Sequence, residues 1–325
     1  MPSPPITPHN VLITGGAGFI GSHLADLLIE AGCRVEVLDD LSTGSITNID
    51  HLRGNERFRF TFGTVREPRD LAEAVDRADA VYHLAAAVGV RLIVERPVHT
   101  IETNIAGTEN VLQACARKGK RVLIASTSEV YGKSPKLPFA EEDDVVLGAS
   151  RRPRWAYACS KLIDEFLALA YAREKKLPVV VARLFNTVGP RQTGRYGMVI
   201  PRFVAQAKAG EPLTVYGDGS QSRTFCHVAD AVGALAGLLE TPGAMGRVFN
   251  VGGMEEITIM DLARLIVART DSRSEIQTIP FEEAYDEDFE DMQRRKPDMT
   301  RIAELIGYAP QRGIEDIVDD VAGVV

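Results

Sequence analysis

One segment constrains the fold of this chain more than any other. Asn10-Val11-Leu12-Ile13 is a short apolar run with strand character, Thr14-Gly15-Gly16-Ala17-Gly18-Phe19-Ile20-Gly21 is a glycine-rich turn, and Ser22 to Glu30 carries apolar residues at helical spacing. In this strand, turn and helix, Gly15 permits the tight turn, Gly18 lets backbone amides approach a pyrophosphate, and Gly21 lets the helix pack close to the strand. The helix N-terminus favours phosphate charge, with Phe19 and Ile20 beside it. Gly32 ends the helix. A second strand, Arg34 to Leu38, leads to Asp39-Asp40, about where an acidic residue meets the adenosine ribose in a dinucleotide fold. A carboxylate there accepts from both ribose hydroxyls and repels a 2′-phosphate, so Asp39 predicts NAD rather than NADP.

Further strand-like runs at Arg57 to Phe62, Ala80 to Leu84, Val122 to Ala125 and Val179 to Ala182 alternate with helical patterns, which predicts an α/β fold built on a doubly wound parallel sheet. Past Asn186 the alternation loosens, with Pro190, Pro201, Pro212 and several glycines. The expected organisation is a dinucleotide-binding domain of residues 1–185 plus about 225–252. A smaller C-terminal α/β substrate domain would take about 186–224 plus 253–325.

Tyr157 and Lys161 lie four apart in a helical stretch and share one face. A phenol near pKa 10 is a poor base at neutral pH. A neighbouring ammonium, helped by an oxidised nicotinamide, favours the phenolate and makes proton abstraction feasible.

At 325 residues and 45% hydrophobic, the chain can bury a substantial core. Its net charge of −8 argues against a general nucleic-acid binder. Cys33, Cys115, Cys159 and Cys226 lack metal-ligand spacing and read as reduced thiols of a cytoplasmic protein, and no metal is expected. Cys159 reads as a small helix residue. Met1 to Asn10 has no signal-peptide core, and no apolar run is long enough to span a membrane. The acidic stretch from Glu282 to Asp291 reads as a solvated loop.

Ordered motifs along nearly the whole chain resemble the extended short-chain dehydrogenase/reductases that modify nucleotide sugars. These are the glycine loop, Val81-Tyr82-His83-Leu84-Ala85-Ala86, Asn104-Ile105-Ala106-Gly107-Thr108-Glu109-Asn110, Ser126-Thr127-Ser128-Glu129-Val130-Tyr131-Gly132, Tyr157 with Lys161, Arg183-Leu184-Phe185-Asn186, Val188-Gly189-Pro190-Arg191, Tyr216-Gly217-Asp218-Gly219 and Arg223 to Asp230. The resemblance implies a catalytic set of Thr127, Tyr157 and Lys161. It places Leu84, Ala85, Ala86, Asn104 and Ser126 along the cofactor with Thr64 and Val65, where relatives usually carry Gly-Asp-Val and this chain has Gly63-Thr64-Val65. Asn186, Arg191, Val215, Tyr216 and Arg223 are implied contacts to a UDP-sugar. Among the arginines of the C-terminal half, Arg191, Arg195, Arg202, Arg223, Arg294 and Arg295, the strongest diphosphate candidate is Arg223, whereas Arg195 and Arg202 read as surface charges.

Such enzymes share a transient oxidation at sugar C4, after which decarboxylation, 4-epimerisation or dehydration remain open. Thr127-Ser128-Glu129-Val130-Tyr131-Gly132, the Pro153-Arg154-Trp155 lead-in and Arg295-Lys296-Pro297 resemble UDP-glucuronate decarboxylases, which implies that Ser128, Glu129 and Arg295 surround the sugar carboxylate or C5. Tyr157-Ala158-Cys159-Ser160-Lys161 is closer to many epimerases, whereas Ser128-Glu129 departs from the Asp-Glu pair of dehydratases. A non-catalytic NAD-sensing protein on the same fold would typically lose the tyrosine or lysine that this chain keeps. Relatives commonly form homodimers through a four-helix bundle, and Asn104 to Ala116 with Tyr157 to Tyr171 are the helices that would build it here.

Overall fold

In the computed structural model, residues 6–7, 9–88, 96–152, 154–194, 198–280, 283 and 292–323 are described. Pro153, Arg195 and most of the acidic stretch lie outside the described residues.

Strand β1 (Asn10–Thr14) shows why the sheet is internal: Val11 and Ile13 face one core and Leu12 the other, so an apolar run without polar alternation is buried on both sides. It sits in a seven-stranded sheet with β2 (Arg34–Asp39), β3 (Phe58–Phe62), β4 (Ala80–His83), β5 (Arg121–Thr127), β6 (Val179–Leu184) and β11 (Val248–Val251). Every pairing in this sheet is parallel, in the order β3-β2-β1-β4-β5-β6-β11. The order reverses direction between β1 and β4, and the crevice outside the carboxyl ends of those strands is where open α/β sheets hold their ligands.

Helices α1 (Phe19–Glu30) and α6 (Val228–Glu240) cover one face, with Leu24, Leu28, Leu235 and Leu239 in a shared core with Val35 and Val37. The other face is covered by α2 (Pro68–Arg77), α3 (Pro97–Lys118) and α4 (Arg154–Lys175), through Leu71, Val111, Leu112 and Ala168. A third core lies beyond the strand ends. It joins α5 (Val199–Ala209), α7 (Ile259–Arg269) and α9 (Ile314–Ala322) to β8 (Leu213–Tyr216) through Phe203, Leu262, Ile266, Ile317, Leu213 and Val215. Strand β7 (Thr187–Val188) pairs in parallel with β10 (Cys226–His227) and β8 with β13 (Ile276–Ile279), β9 (Ser222–Thr224) lies between β12 (Glu256–Thr258) and β14 (Arg294–Arg295), and α8 (Thr300–Ile306) precedes α9.

The glycine turn is held by Gly15 N donating to Leu38 O at 2.9 Å. Gly15 has φ +75°, and a Cβ built on it would fall 2.6 Å from Ala85 N. Gly21 is bare for a different reason from the one the sequence suggests. A Cβ there would come within 2.7 Å of Gly16 Cα, so the helix packs against the turn itself rather than the strand. Gly15→Ala is expected to cost about 1–3 kcal/mol of stability through strain at positive φ and, by tilting the turn, to weaken dinucleotide binding about tenfold. Thermal unfolding and calorimetric titration with NAD⁺ measure the two effects.

Candidate active site

A cleft of about 1770 Å³ opens above the carboxyl ends of β1 and β4 and runs toward the third core. At one end its wall is the glycine turn and the first turn of α1, with Gly15, Gly18, Phe19, Ile20 and Gly21 on the surface. The first N–H groups of a helix have no intrahelical acceptor and face an incoming anion here. Asp39 and Asp40 follow at the end of β2. Asp39 is nearly buried and accepts from Ala17 N at 2.9 Å and Leu41 N at 2.8 Å, so the same carboxylate that would meet a ribose also ties down the loop. Burial raises its pKa, while the two backbone bonds oppose that shift. Asp40 is exposed and accepts from Ser42 N at 2.9 Å. Thr64, Val65, Leu84, Ala85 and Ala86 complete this end, and Leu84 N is fixed on Thr14 O at 3.0 Å. The bare Gly15 beside Ala85 and the open first turn of α1 fit a dinucleotide pyrophosphate.

The middle of the cleft holds the chemistry. Thr127 ends β5, and its Oγ1 accepts from Glu129 N at 3.2 Å, starting the short 3₁₀ turn Ser128–Tyr131. Helix α4 presents Tyr157 and Lys161 to the same space, and Thr127 hydrogen-bonds the Tyr157 hydroxyl. The phenol sits well above its ordinary pKa. Burial contributes most, Glu129 and Asp164 push the same way, and the Thr127 bond opposes them. A lysine that lowers the phenol is therefore not the dominant influence on it. The physical reason is local: Lys161 Nζ donates to Asp164 Oδ2 at 2.8 Å, with both side chains buried, so its charge is already matched.

Beside Tyr157, Arg295 Nη1 lies 2.6 Å from Glu129 Oε1. Arg295 reaches this position because β14 pairs in parallel with β9, which places Arg295 in register with Arg223 and sends both to the cleft. The segment that follows is anchored by Phe139 N to Lys296 O and Asp298 N to Phe139 O, each at 2.8 Å. Arg223 is nearly buried and donates from Nη1 to Ser222 O at 2.8 Å. Asn186, at φ +31°, donates from Nδ2 to Thr224 O at 2.8 Å. Arg191 lies on the wall with its guanidinium 2.8 Å from Asp26 of α1.

Of the cofactor and substrate contacts expected from the sequence, Val215 and Asn104 do not reach the cleft surface. Val215 is completely buried in the third core, because alternate residues of β8 face inward; its neighbour Tyr216 lines the cleft. Asn104 is buried below the wall, accepting from Ala87 N at 2.8 Å and donating to Ser160 Oγ at 3.1 Å, so it acts through the backbone beside Ala86. Ser126 does reach the wall, and its Oγ donates to Glu165 Oε1 at 2.5 Å. Arg202 is no surface charge. It stacks over the Tyr216 ring at 4.3 Å and donates to Thr214 Oγ1 at 2.6 Å, making a platform for a planar base. Sequence reasoning also missed the loop wall of Ser42, Thr43, Ser45 and Asn48, and it missed Asp164, which helical i, i+3 spacing from Lys161 could have flagged.

A doubly wound sheet with this glycine turn, Asp39, and a Thr127–Tyr157–Lys161 set at the strand ends defines an extended short-chain dehydrogenase/reductase. The chain belongs to the family described as GDP-mannose 4,6 dehydratase, which matches residues 12–321. It is 41% identical over 312 residues to the UDP-N-acetyl-alpha-D-glucosaminuronate decarboxylase of Bacillus cytotoxicus, covering 94% of this chain and 96% of that one. It is 40% identical over 306 residues to UDP-glucuronic acid decarboxylase 1 of Danio rerio, covering 94% of this chain and 70% of the relative. Among solved structures it resembles the UDP-glucuronic acid 4-epimerase of Bacillus cereus in complex with UDP-glucuronic acid and NAD, with a TM-score of 0.86 and 28% identity over 97% of this chain and 98% of that one.

Proposed function

We propose that this protein is an NAD-dependent decarboxylase of a UDP-hexuronate, with UDP-glucuronate as its substrate. The observation that carries the reading is the Arg295–Glu129 pair at 2.6 Å beside Tyr157, a guanidinium able to grip a sugar carboxylate and a carboxyl group able to relay a proton. High identity to two uronate decarboxylases supports it.

NAD⁺ held by the glycine turn and Asp39 would supply the hydride acceptor for sugar C4 and the hydride donor for the final reduction. Tyr157, oriented by Thr127, takes the proton from O4 as that hydride leaves. The resulting 4-ketone makes the C6 carboxylate a β-keto acid. The C5–C6 bond breaks, carbon dioxide departs, and the electron pair is held by the C4 carbonyl. Glu129, freed from Arg295 when the guanidinium turns to the sugar carboxylate, takes a proton from water and passes it to C5, and Tyr157 returns its own proton to O4. Arg295 and Ser128 hold the carboxylate until it leaves, Arg223, Asn186 and Arg191 face the diphosphate, and Tyr216 with Arg202 stacks the uracil.

In this reading, residues 1–185 with about 225–252 hold the dinucleotide, and the remainder holds the nucleotide sugar. The compartment is the cytoplasm; among the described residues no helix is long and apolar enough to cross a membrane. The protein acts as a homodimer through α3 and α4, which pack along one another. Val98 and Ile101 of α3, and Ile163 and Phe166 of α4, are exposed at i, i+3 spacing, with Phe166 67% exposed. Phe166→Glu is expected to convert the dimer to a monomer in analytical ultracentrifugation, with the monomer's far-ultraviolet circular dichroism unchanged.

The reaction itself is tested by incubating the protein with NAD⁺ and UDP-glucuronate and following anomeric signals by proton NMR. UDP-xylose or its 4-keto precursor supports decarboxylation. UDP-galacturonate without loss of carbon dioxide overturns it in favour of 4-epimerisation.

A further inference from the structure

Beneath the floor of the cleft, buried polar side chains of β1, β4 and α3 lie beside the catalytic helix. Thr14 Oγ1 lies 2.8 Å from His83 Nδ1, and His83 Nε2 lies 3.1 Å from Thr108 Oγ1 on α3. Burial raises the pKa of Asp164, and the charge is held chiefly by Lys161, whose Nζ donates to Oδ2 at 2.8 Å, with a smaller contribution from Thr108. Asp164 is 0% exposed and Lys161 2%, so this ion pair is removed from water, where each charge acts more strongly on its neighbours. Asp164 lies outside the Tyr157/Lys161 spacing that marks the site. A buried carboxylate is costly unless partnered, and here its partner is the lysine that the chemistry needs.

We propose that Asp164 is the counter-ion of Lys161 and that, by neutralising the ammonium, it raises the pH at which Tyr157 becomes a base. The proposal rests on the reading of Tyr157 as the group that takes the O4 proton. Asp164 touches neither substrate nor cofactor. It is a positioning residue that acts through Lys161.

The other groups around this pair are accounted for. His83, on β4, is neutral, its pKa pushed down to about 3 by burial and then by Lys161. Glu165, the next residue of α4, is taken by Arg183 of β6 through Nη2 at 2.7 Å and Nε at 3.0 Å. On the substrate side, Glu129 is paired with Arg295. Glu129 and Asp164 are the two carboxylates that push the Tyr157 phenol upward. Removing the Asp164 charge leaves the Lys161 ammonium to act on the phenol undiminished, which favours phenolate. The acid limb of activity then moves to lower pH.

Asp164→Asn keeps the shape and the acceptor for Lys161 Nζ while removing the charge. The experiment is an ultraviolet titration of the Tyr157 phenolate in the NAD⁺-saturated protein, with the Tyr157→Phe signal subtracted, followed by the pH profile of turnover on UDP-glucuronate. The expected result is a midpoint about one pH unit lower in Asp164→Asn. A purely structural salt bridge would lower the melting temperature and leave the midpoint where it was. An unchanged or raised midpoint overturns the proposal, and Asp164→Ser gives the same readout if Asp164→Asn does not fold. If the midpoint falls but the parent protein does not turn over UDP-glucuronate, the substrate reading fails and the role of Asp164 stands.

Discussion

Tyr157→Phe is expected to reduce turnover of UDP-glucuronate by about 100- to 10,000-fold, the usual contribution of a positioned acid or base. Phenylalanine keeps the ring and the packing of α4 and removes the one oxygen that Thr127 orients toward the sugar. Among the described residues, the ionisable groups around the phenol are engaged elsewhere. Lys161 donates to Asp164, the Glu129 carboxylate is held against Arg295, and His83 is buried in its own contacts to Thr14 and Thr108. The dinucleotide cradle of Gly15, Gly18 and Asp39 lies at the other end of the cleft and is untouched. Calorimetric binding of NAD⁺ should therefore match the parent while the NMR assay shows the substrate unchanged. Full retention of turnover in Tyr157→Phe would transfer the base role to another group.

Arg295→Ala is expected to lower kcat/KM for decarboxylation by about 100-fold or more, the scale on which loss of one preorganised charged donor is felt. Two losses act together. The sugar carboxylate loses a planar guanidinium able to bind both of its oxygens, and Glu129 loses the partner that fixes its carboxyl 2.6 Å away. Arg295→Lys is expected to recover only part of the activity, because an ammonium restores the charge without the fork. The informative measurement compares UDP-glucuronate with UDP-glucose as a hydride donor, followed by NADH absorbance. A deficit confined to the uronate identifies Arg295 as the carboxylate contact. An equal deficit on both sugars makes it a general nucleotide-sugar contact.

The first lobe was legible because its signals are local. An apolar run followed by Gly15, Gly18 and Gly21 and then a helical pattern leaves a chain few options, and the strands expected from Asn10 to Ala182 appear within a few residues of their bounds. Asp39 was readable for the same reason: it closes the next strand, at a distance set by one helix and one turn. Tyr157 and Lys161 were readable through helical spacing, although spacing said nothing about their surroundings.

Those surroundings were decided by packing between residues distant in sequence. Arg295 comes to Glu129 only because β14 joins β9 and Pro297 bridges Phe139, a closure over more than a hundred residues that no periodicity encodes. Arg202 looked like surface charge until α5 was packed against β8, and Val215 was separated from Tyr216 only by the face of the strand each occupies. The sequence by itself determined the dinucleotide fold, the acidic residue that closes its second strand and the presence of a tyrosine–lysine pair, since turns, caps and helical faces depend on neighbours within a few positions. The tertiary structure alone decided which arginine meets which carboxylate, and that Lys161 is neutralised by a buried Asp164. Charge matching in low dielectric depends on distance in space, and only the folded chain defines that distance.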